Sequence, residues 1–375
     1  MEGSSTHLRC SVQIDLCALE RNLGKLRFFA PKLNGYIALV SADAFGYGVE
    51  AAVVRLMISG ADAFATTNIS EAVKVREVGA GWKIIVLSAS LPDEEHIYIE
   101  NDITPVIATV EELERFEQAA KQADKKIKVH VKLPVNKYSI PSRTQAEQML
   151  MKLLNNSHLQ LEAFCLSGTG TGAPTEGAIP DRQFLNFAVK KLGDDTKVYI
   201  HHSDICDTKT LPEQFRKSLR AGLVLFGMKP SENSILKGFQ PERVLTFRTS
   251  VSQIKTIPHG ATVAYGKTYT LTRDSRIALL SVGYGDGVPR DASKKMSVII
   301  RGRKADVIGR ISMDQAVIDI TDIRNAEVGD EVIIVGESGG LEIPIEEYSQ
   351  RLGITPAQAL TSITKRVARF YKTLY

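Results

Sequence analysis

The stretch from residue 61 to residue 88, ADAFATTNISEAVKVREVGAGWKIIVLS, contains a strand, a helix and a second strand in its pattern. Residues 61–68 and 83–88 form short apolar runs, whereas residues 70–78 between them have the spacing of an amphipathic helix. Continuous apolar runs are typical of strands that are buried on both faces of a parallel sheet. The stretch therefore predicts a βαβ unit.

The same alternation extends over the first part of the chain, which contains eight such runs before residue 240. They are residues 36–41 (YIALVS), 61–68 (ADAFATTN), 83–88 (KIIVLS), 104–108 (TPVIA), 129–133 (VHVKL), 161–167 (LEAFCLS), 198–203 (VYIHHS) and 219–226 (LRAGLVLF). Eight strands separated by helical segments, such as residues 110–123, predict a (β/α)8 barrel of the TIM type.

The pattern changes near residue 240, where alternating runs with Gly and Asp turns begin. We expect residues 1–240 to form the barrel domain and residues 241–375 an antiparallel β domain. Residues 11–16 form a strand-like run ahead of the barrel and are expected to join the C-terminal sheet. The final segment, residues 355–371, is expected to be helical. The C-terminal runs are residues 246–254, 276–282, 297–300, 316–320 and 331–335.

Composition limits the classes of function. The net charge is +4, from 47 basic and 43 acidic residues, and there is no dense basic run. We therefore expect neither nucleic acid nor a membrane surface as a partner. The four cysteines have no metal-site or disulfide spacing, and the first residues, MEGSSTHLRC, lack the apolar core of a signal peptide. These features favour a cytoplasmic protein that acts on a small molecule.

Six motifs, in one order along the chain, carry a family resemblance. They are residues 14–23 (IDLCALERNL), 41–48 (SADAFGYG), 264–269 (AYGKTY), 281–287 (SVGYGDG), 309–315 (GRISMDQ) and 328–332 (VGDEV). Together they resemble the alanine racemases, which are enzymes of fold type III that use pyridoxal phosphate (PLP). The resemblance implies the barrel and the β domain, and it implies a head-to-tail homodimer.

The resemblance also locates a difference in the loop after the first barrel strand. In the alanine racemases this loop carries a lysine that forms a Schiff base with PLP and later moves a proton. The matching position here is Ser41, whose hydroxyl cannot form an imine. The family's phosphate-binding tyrosine corresponds to Phe45, and its next histidine corresponds to Tyr47.

Other positions of the implied cofactor site also differ from the family pattern. Ser167 stands where the family has a histidine stacked on the PLP ring, and Asp204 and Ile205 replace an Asn-Ser pair. Ala357 occupies the position matched to a second phosphate-binding tyrosine. Lys137 is the candidate replacement for the arginine that contacts the substrate carboxylate.

A second group of residues agrees with the family. Tyr265 matches its catalytic tyrosine, and Lys132 matches a lysine that is carbamylated in many members. Arg220 and Gly222 match the arginine at the pyridine nitrogen and the glycine beside the phosphate. Three further residues match the entrance and the substrate site, namely Tyr284, Met313 and Asp314. In the family, the tyrosine and methionine matched by Tyr265 and Met313 reach the barrel of the partner subunit.

Two local patterns leave alternatives open. The glycine-rich residues 167–172 (SGTGTG) can offer backbone N–H groups to an anion, or they form an ordinary loop. His202, Asp204 and Cys206 would share one face of an extended segment and are able to hold Zn²⁺. The competing interpretation is the end of a strand followed by a helix start, and we expect no metal.

Three hypotheses for the function follow. The first is a protein that has lost PLP and Schiff-base chemistry and binds a small amino-acid-like or anionic ligand. The second is a PLP-independent enzyme in which Tyr265 is the acid or base, Arg220 or Lys132 holds the substrate, and Ser41 or Asp204 assists. The third is a PLP-dependent alanine racemase that uses another lysine. The substitutions around Ser41 favour the first two, so we expect no bound cofactor.

Overall fold

The eight parallel strands of the first half close into a barrel in the computed structural model, which describes residues 9–135, 139–167, 179–206, 208–293 and 295–374. Up to the end of the barrel the elements are β1 (Cys10–Asp15), α1 (Leu16–Phe29), β2 (Gly35–Leu39), α2 (Ser41–Phe45), α3 (Val49–Ile58), β3 (Ala63–Thr66), α4 (Ile69–Val78), β4 (Ile84–Val86), α5 (Glu95–Glu100), β5 (Ile103–Ile107), α6 (Val110–Gln122), β6 (Ile127–Lys132), α7 (Arg143–Leu154), β7 (Leu159–Leu166), α8 (Arg182–Leu192), β8 (Tyr199–Ser203) and β9 (Arg216–Ala221).

The barrel strands run in sequence order from β2 to β9, and β9 pairs with β2 to close the ring. Each of the eight apolar runs overlaps one of these strands, which confirms the predicted fold class. The strands β3, β4 and β5 are buried at every position, because helices cover their outer faces while side chains fill the interior. The other five barrel strands also have intermediate or exposed positions. All parallel strands point the same way, so the loops that follow them meet at one end, which is called the barrel mouth below.

Several helices begin where a polar side chain can satisfy a free N–H group. Ser142 caps α7 in a reciprocal arrangement with Gln145, and Thr109 caps α6 by accepting a hydrogen bond from Glu112 N–H. None of the helices in the described part of the chain has the length and apolarity that crossing a membrane requires.

The second half of the chain forms a mostly antiparallel sheet. Its elements are β10 (Leu245–Ile257), β11 (Thr262–Val263), β12 (Tyr269–Thr270), β13 (Ser275–Leu280), two 3-10 turns (Tyr284–Asp286 and Arg290–Ala292), β14 (Ser297–Ile300), β15 (Arg303–Asp306), β16 (Ala316–Asp319), β17 (Glu331–Ser338), β18 (Leu341–Ile343), α9 (Ile345–Leu352), α10 (Pro356–Thr361) and β19 (Ala368–Lys372). The β11–β12 hairpin stands apart from the main sheet.

The first and last strands of the chain meet in this sheet. β1 pairs antiparallel with β10 and parallel with β19. The helix expected over residues 355–371 is wrong in its second part, because residues 368–372 form β19. This segment forms a strand because the edge of β1 offers it backbone hydrogen-bond partners. The local sequence does not contain that information.

Candidate active site

The loop after β2 places Ser41 at the barrel mouth in an unusual backbone conformation. Ala42, Asp43, Ala44 and Phe45 all have positive φ, between 52° and 57°, so α2 is a left-handed turn. For a residue with a side chain, the left-handed backbone conformation is less stable than the right-handed one by about 1–2 kcal/mol. Such strain is concentrated at functional sites. The Ser41 hydroxyl oxygen accepts a hydrogen bond of 2.9 Å from the Thr67 N–H, beyond the end of β3.

The C-terminal strand holds this loop in place. Arg369 Nε donates to the Gly46 carbonyl oxygen at 3.0 Å, and the Tyr371 hydroxyl donates to the Tyr47 carbonyl oxygen at 3.1 Å. A Cβ atom at Gly48 would overlap the Tyr371 hydroxyl, and Gly48 has a φ of +93°, so this position requires glycine. The strained turn is thus fixed by contacts from β19, far away in the sequence.

Arg220, near the end of β9, is buried at the mouth. Its Nη1 donates to Nδ1 of His201 at 2.8 Å, and its Nη2 donates to the Leu166 carbonyl oxygen at 2.9 Å and lies 3.4 Å from Ser167 Oγ. The structure therefore brings two predicted site residues, Arg220 and Ser167, together. Among the described residues, none of the acceptors of Arg220 is a carboxylate.

The turn that follows Arg220 begins at Gly222. The carbonyl oxygens of Gly222 and Leu223 accept hydrogen bonds from the N–H groups of Leu225 and Phe226. The hydrogen bonds within the turn therefore do not use the N–H groups of residues 222–224. Amides in that position are available to an anion. A Cβ atom at Gly222 would lie 3.4 Å from the ring of Phe45, which shows how closely this turn approaches α2.

Lys132 lies at the mouth end of β6. His130, two residues earlier, contacts His201 inside the barrel at 3.0 Å. Side chains two residues apart on a strand point to the same face, so Lys132 also points inward. Lys132 pairs in register with Cys165, and the Cys165 sulfur lies 3.4 Å from Arg220 Nη1.

Asp204 does not pair with Arg220. Its carboxylate accepts a hydrogen bond of 2.7 Å from the Ser234 hydroxyl, in the turn after β8. His202 donates from Nδ1 to the Ser203 carbonyl oxygen at 3.0 Å, and burial lowers its pKa to about 4. Within the described ranges, no three His, Cys, Asp or Glu side chains group as metal ligands. Lys137 and residues 168–172 of the glycine-rich stretch lie outside the described residues.

Sequence reasoning missed three polar residues in the barrel interior, namely His130, Glu162 and His201. Burial lowers the pKa of His201 well below its usual value, and the nearby Arg220 charge lowers it further, so its ring is neutral. Burial also lowers the pKa of His130, although Glu162 opposes that effect. The sequence contained a signal for the two histidines. His130 and His201 lie in runs that are predicted to be buried on both faces, where a polar group needs a partner.

The remaining predicted site residues lie together on the C-terminal domain. Tyr284 donates its N–H to the Ser312 carbonyl oxygen at 3.0 Å, beside Met313, and the Asp314 carboxylate accepts from Arg366 at 2.6 Å. The side chains of Tyr265, Tyr284 and Met313 are 66%, 46% and 50% exposed. The site residues therefore form two groups, one at the barrel mouth and one on the exposed face of the C-terminal domain.

Comparison with known protein families accounts for both groups. Residues 14–230 match the family described as alanine racemase, N-terminal domain, and residues 244–371 match alanine racemase, C-terminal domain. The chain belongs to the alanine racemase family. It is 32% identical to the alanine racemase of Methylacidiphilum infernorum, over 98% of this chain and 93% of that protein. It is 29% identical to the alanine racemase of Halothermothrix orenii, over 96% of each chain.

Solved structures of alanine racemases have the same fold. The enzyme of Streptomyces coelicolor A3(2) superimposes with a TM-score of 0.85 at 25% identity, over 97% of this chain and 98% of that one. The enzyme of Streptomyces lavendulae gives a TM-score of 0.84 at 27% identity, over 99% of both chains.

Membership of the alanine racemase family corrects two expectations from the sequence. The predicted loss of PLP chemistry and the predicted lack of a cofactor are both wrong, because relatives along nearly the whole chain are alanine racemases, a PLP-dependent family. Ser41 by itself does not exclude an imine. An imine requires a primary amine that can reach the aldehyde, and it does not require that amine to come from one loop.

Proposed function

We propose that this chain is a PLP-dependent racemase of alanine or a similarly small amino acid, and that its Schiff-base amine comes from a lysine other than residue 41. The observation that carries the proposal is the similarity to alanine racemases over 98% of the chain. The buried Arg220 at the mouth, at the position matched to the family's pyridine-binding arginine, supports it.

The residues at the mouth fit the cofactor at two points. Arg220 provides a fixed cation for the pyridine nitrogen, and its Nε–H meets no acceptor among the described residues. The amides of residues 222–224 provide donors for the phosphate. When bound, PLP supplies an aldehyde that condenses with amines and a ring that stabilises negative charge at Cα. Phe45 and Asp204 add no donor to the phosphate grip.

Lys132 is our candidate for the amine. It points into the barrel at the mouth, and Cys165 lies between it and Arg220. A ligand that contacts Arg220 would therefore lie within the space that a flexible lysine side chain can sweep. Ser41 has a different task in this proposal, because its hydrogen bond to the Thr67 N–H anchors the left-handed turn.

Racemisation requires proton exchange on both faces of the substrate Cα, so a second acid or base is needed on the face opposite Lys132. Tyr265 is 66% exposed on the C-terminal domain, and no described contact joins it to the barrel mouth of its own chain. We therefore place Tyr265 of a second copy over the mouth, in a head-to-tail homodimer. Its hydroxyl would hold or accept the proton opposite Lys132.

The test uses the purified full chain incubated with PLP. We expect a visible absorption band, and borohydride reduction followed by peptide mass analysis should locate the cofactor on Lys132. Lys132→Met should remove both the band and racemisation of L-alanine. Lys152→Met is the matched control, because Lys152 lies on the outer helix α7 and pairs with Glu114, outside the barrel interior.

Two results would overturn the proposal. A protein that stays colourless and is not labelled after reduction has no Schiff-base chemistry. Labelling at a different lysine, with full activity in Lys132→Met, would keep the racemase assignment but remove Lys132 from it.

A further inference from the structure

A continuous chain of hydrogen bonds crosses the barrel interior from the mouth to the opposite end. Arg220 Nη1 lies 2.8 Å from His201 Nδ1, and His201 Nε2 lies 3.0 Å from His130 Nδ1. His130 Nε2 then lies 3.0 Å from Glu162 Oε2. The two histidines are fully buried and Arg220 is nearly so, which shields the contacts among these three residues from water.

The chemistry of the two ends fixes every proton in this chain. A guanidinium can only donate, so Nδ1 of His201 must be an acceptor and its single proton sits on Nε2. That proton is donated to Nδ1 of His130, whose own proton is therefore on Nε2. An ionised carboxylate can only accept, and Glu162 lies at the end where the last proton is donated. Each ring has one tautomer that satisfies both of its neighbours.

A β-bulge provides the carboxylate end. Val129 pairs with Leu161 and His130 pairs with Ala163, which leaves Glu162 as an extra residue on β7. A bulge of this kind re-aims a side chain relative to the alternation of its strand. Glu162 consequently reaches His130 inside the barrel, although its neighbour Ala163 occupies the regular position.

Two lysines keep Glu162 ionised. Lys83 lies 2.9 Å from one carboxylate oxygen and Lys128 lies 3.1 Å from the same oxygen, while the other oxygen accepts from His130. Burial alone would raise the pKa of Glu162, but the hydrogen bonds from His130 and Lys83 outweigh it and lower the pKa to about 2. Tyr199, at 3.3 Å from His130 Nε2, completes the polar end of the interior.

We infer that Glu162 is a positioning residue for the reaction, which acts through His130 and His201 to hold Arg220 as a fixed cationic donor at the mouth. The order of protons sets the orientation of the His201 ring, and that ring provides the strongest side-chain contact of Arg220. The inference deepens the proposed function, on which its kinetic part rests, whereas its structural part concerns the protein alone.

The structural part is measured by nitrogen NMR of protein labelled with ¹⁵N in the histidine rings. In the native chain, His130 and His201 should each be protonated at one nitrogen, Nε2. This should hold at pH values both above and below 6.5, the usual pKa of histidine. Glu162→Leu removes the acceptor of the His130 Nε2 proton, whereas Arg220 still holds Nδ1 of His201 as an acceptor. Both rings should therefore keep their tautomers, and the Nε2–H resonance of His130 should shift because it loses a charge-assisted hydrogen bond. Glu162→Gln retains an acceptor oxygen and should restore most of the native resonance position.

The kinetic part compares the same variants in alanine racemisation. Loss of a charge-assisted hydrogen bond at the end of the chain should lower kcat/KM by about tenfold or more in Glu162→Leu, with partial recovery in Glu162→Gln. Glu95→Leu is the matched control, because it removes a buried carboxylate that is paired with Arg115 on the outer helices. This control should leave the ring nitrogens and kcat/KM unchanged.

An unchanged Nε2–H resonance of His130 in Glu162→Leu would overturn the inference, as would equal changes in the Glu95 control. If Glu162→Leu does not fold, His130→Phe removes the acceptor of the His201 Nε2 proton and should shift that resonance, and an unchanged His201 would again contradict us. A protein that shows these resonance shifts but racemises neither alanine nor a similarly small amino acid would refute the proposed function and leave the positioning chain intact.

Discussion

The interior of the barrel has two halves with different chemistry. The strands from β2 to β5 fill their half mainly with apolar side chains, whereas the strands from β6 to β9 fill theirs mainly with polar and charged ones. The apolar half contains Ile37, Leu39, Ala63, Ala65, Ile85, Leu87 and Val106. The polar half contains Lys128, His130, Lys132, Glu162, His201 and Arg220.

The difference between the halves lies in how each is held together. Burial of apolar area has no direction, so the first half depends on volume and shape. Hydrogen bonds in a buried site have direction, and each donor left without an acceptor costs about 1–3 kcal/mol. The polar half therefore holds its geometry only while every proton is in place, and this half forms one side of the candidate active site.

The largest effect on stability is expected in the apolar half. Ile85 is fully buried, and Ile85→Ala should lower the free energy of unfolding by about 2–5 kcal/mol through lost burial and a residual cavity. Ile58→Ala makes the same chemical change at a side chain that is 75% exposed, and it should stay within about 0.5 kcal/mol of the native chain. Urea unfolding measures both. Equal losses in the two variants would contradict the assigned packing of this half.

A smaller effect is expected from the polar half, where two adjacent histidines provide a matched pair. His201→Leu leaves a donor of Arg220 without its acceptor and His130 without its donor, and should cost about 1–3 kcal/mol. His202 is equally buried, but its Nε2 has no partner among the described residues. His202→Leu should therefore be close to neutral. A larger loss in His202→Leu than in His201→Leu would show that the chain has little influence on stability.

The smallest effect, counted per pH unit, is the pH dependence of stability. Burial lowers the pKa of His202 to about 4, compared with 6.5 for an unperturbed histidine. The unfolded chain therefore binds protons first as the pH falls below 6.5, and stability declines towards pH 4 by at most about 1.4 kcal/mol per pH unit for each such group. His130 and His201 act in the same direction.

Glu162 extends this decline to lower pH. Its pKa is about 2 when folded and 4.5 otherwise, so its stabilising contribution is present above pH 4.5 and is lost as the pH falls towards 2. The free energy of unfolding, measured over a pH series, should therefore decrease as the pH falls below 6.5. Glu162→Gln should reduce only the decrease that occurs below pH 4.5. Constant stability between pH 7 and pH 5 would mean that the buried histidines are not held neutral.

The sequence predicted the barrel because each strand is marked by a local pattern. Runs such as residues 83–88 have an apolar centre, and this pattern occurs eight times in the first part of the chain. The last segment was predicted incorrectly. Residues 368–372 are a strand because β1 and β10 already form a sheet with a free edge, and no local pattern in the segment contains that information.

The site divides in the same way. Motifs along the chain identified Arg220, Gly222, Tyr265 and Met313, because motif order is a property of sequence. Glu162 was missed, since its inward direction depends on a bulge relative to β6. A substitution at one position, Ser41, also gave a wrong functional expectation, because the amine that a cofactor needs is defined by what reaches it in space.

The sequence by itself determined the strands of the barrel, the order of the motifs and the chemical groups available to the site. Apolar periodicity and residue type are local, so they can be recognised before folding is considered. Only the tertiary structure decided which groups share a hydrogen bond, where each proton sits and which strand clamps the Ser41 loop. Those contacts join residues such as Arg220 and Glu162, or Gly46 and Arg369, which are brought together by barrel closure and by the pairing of β19 with β1.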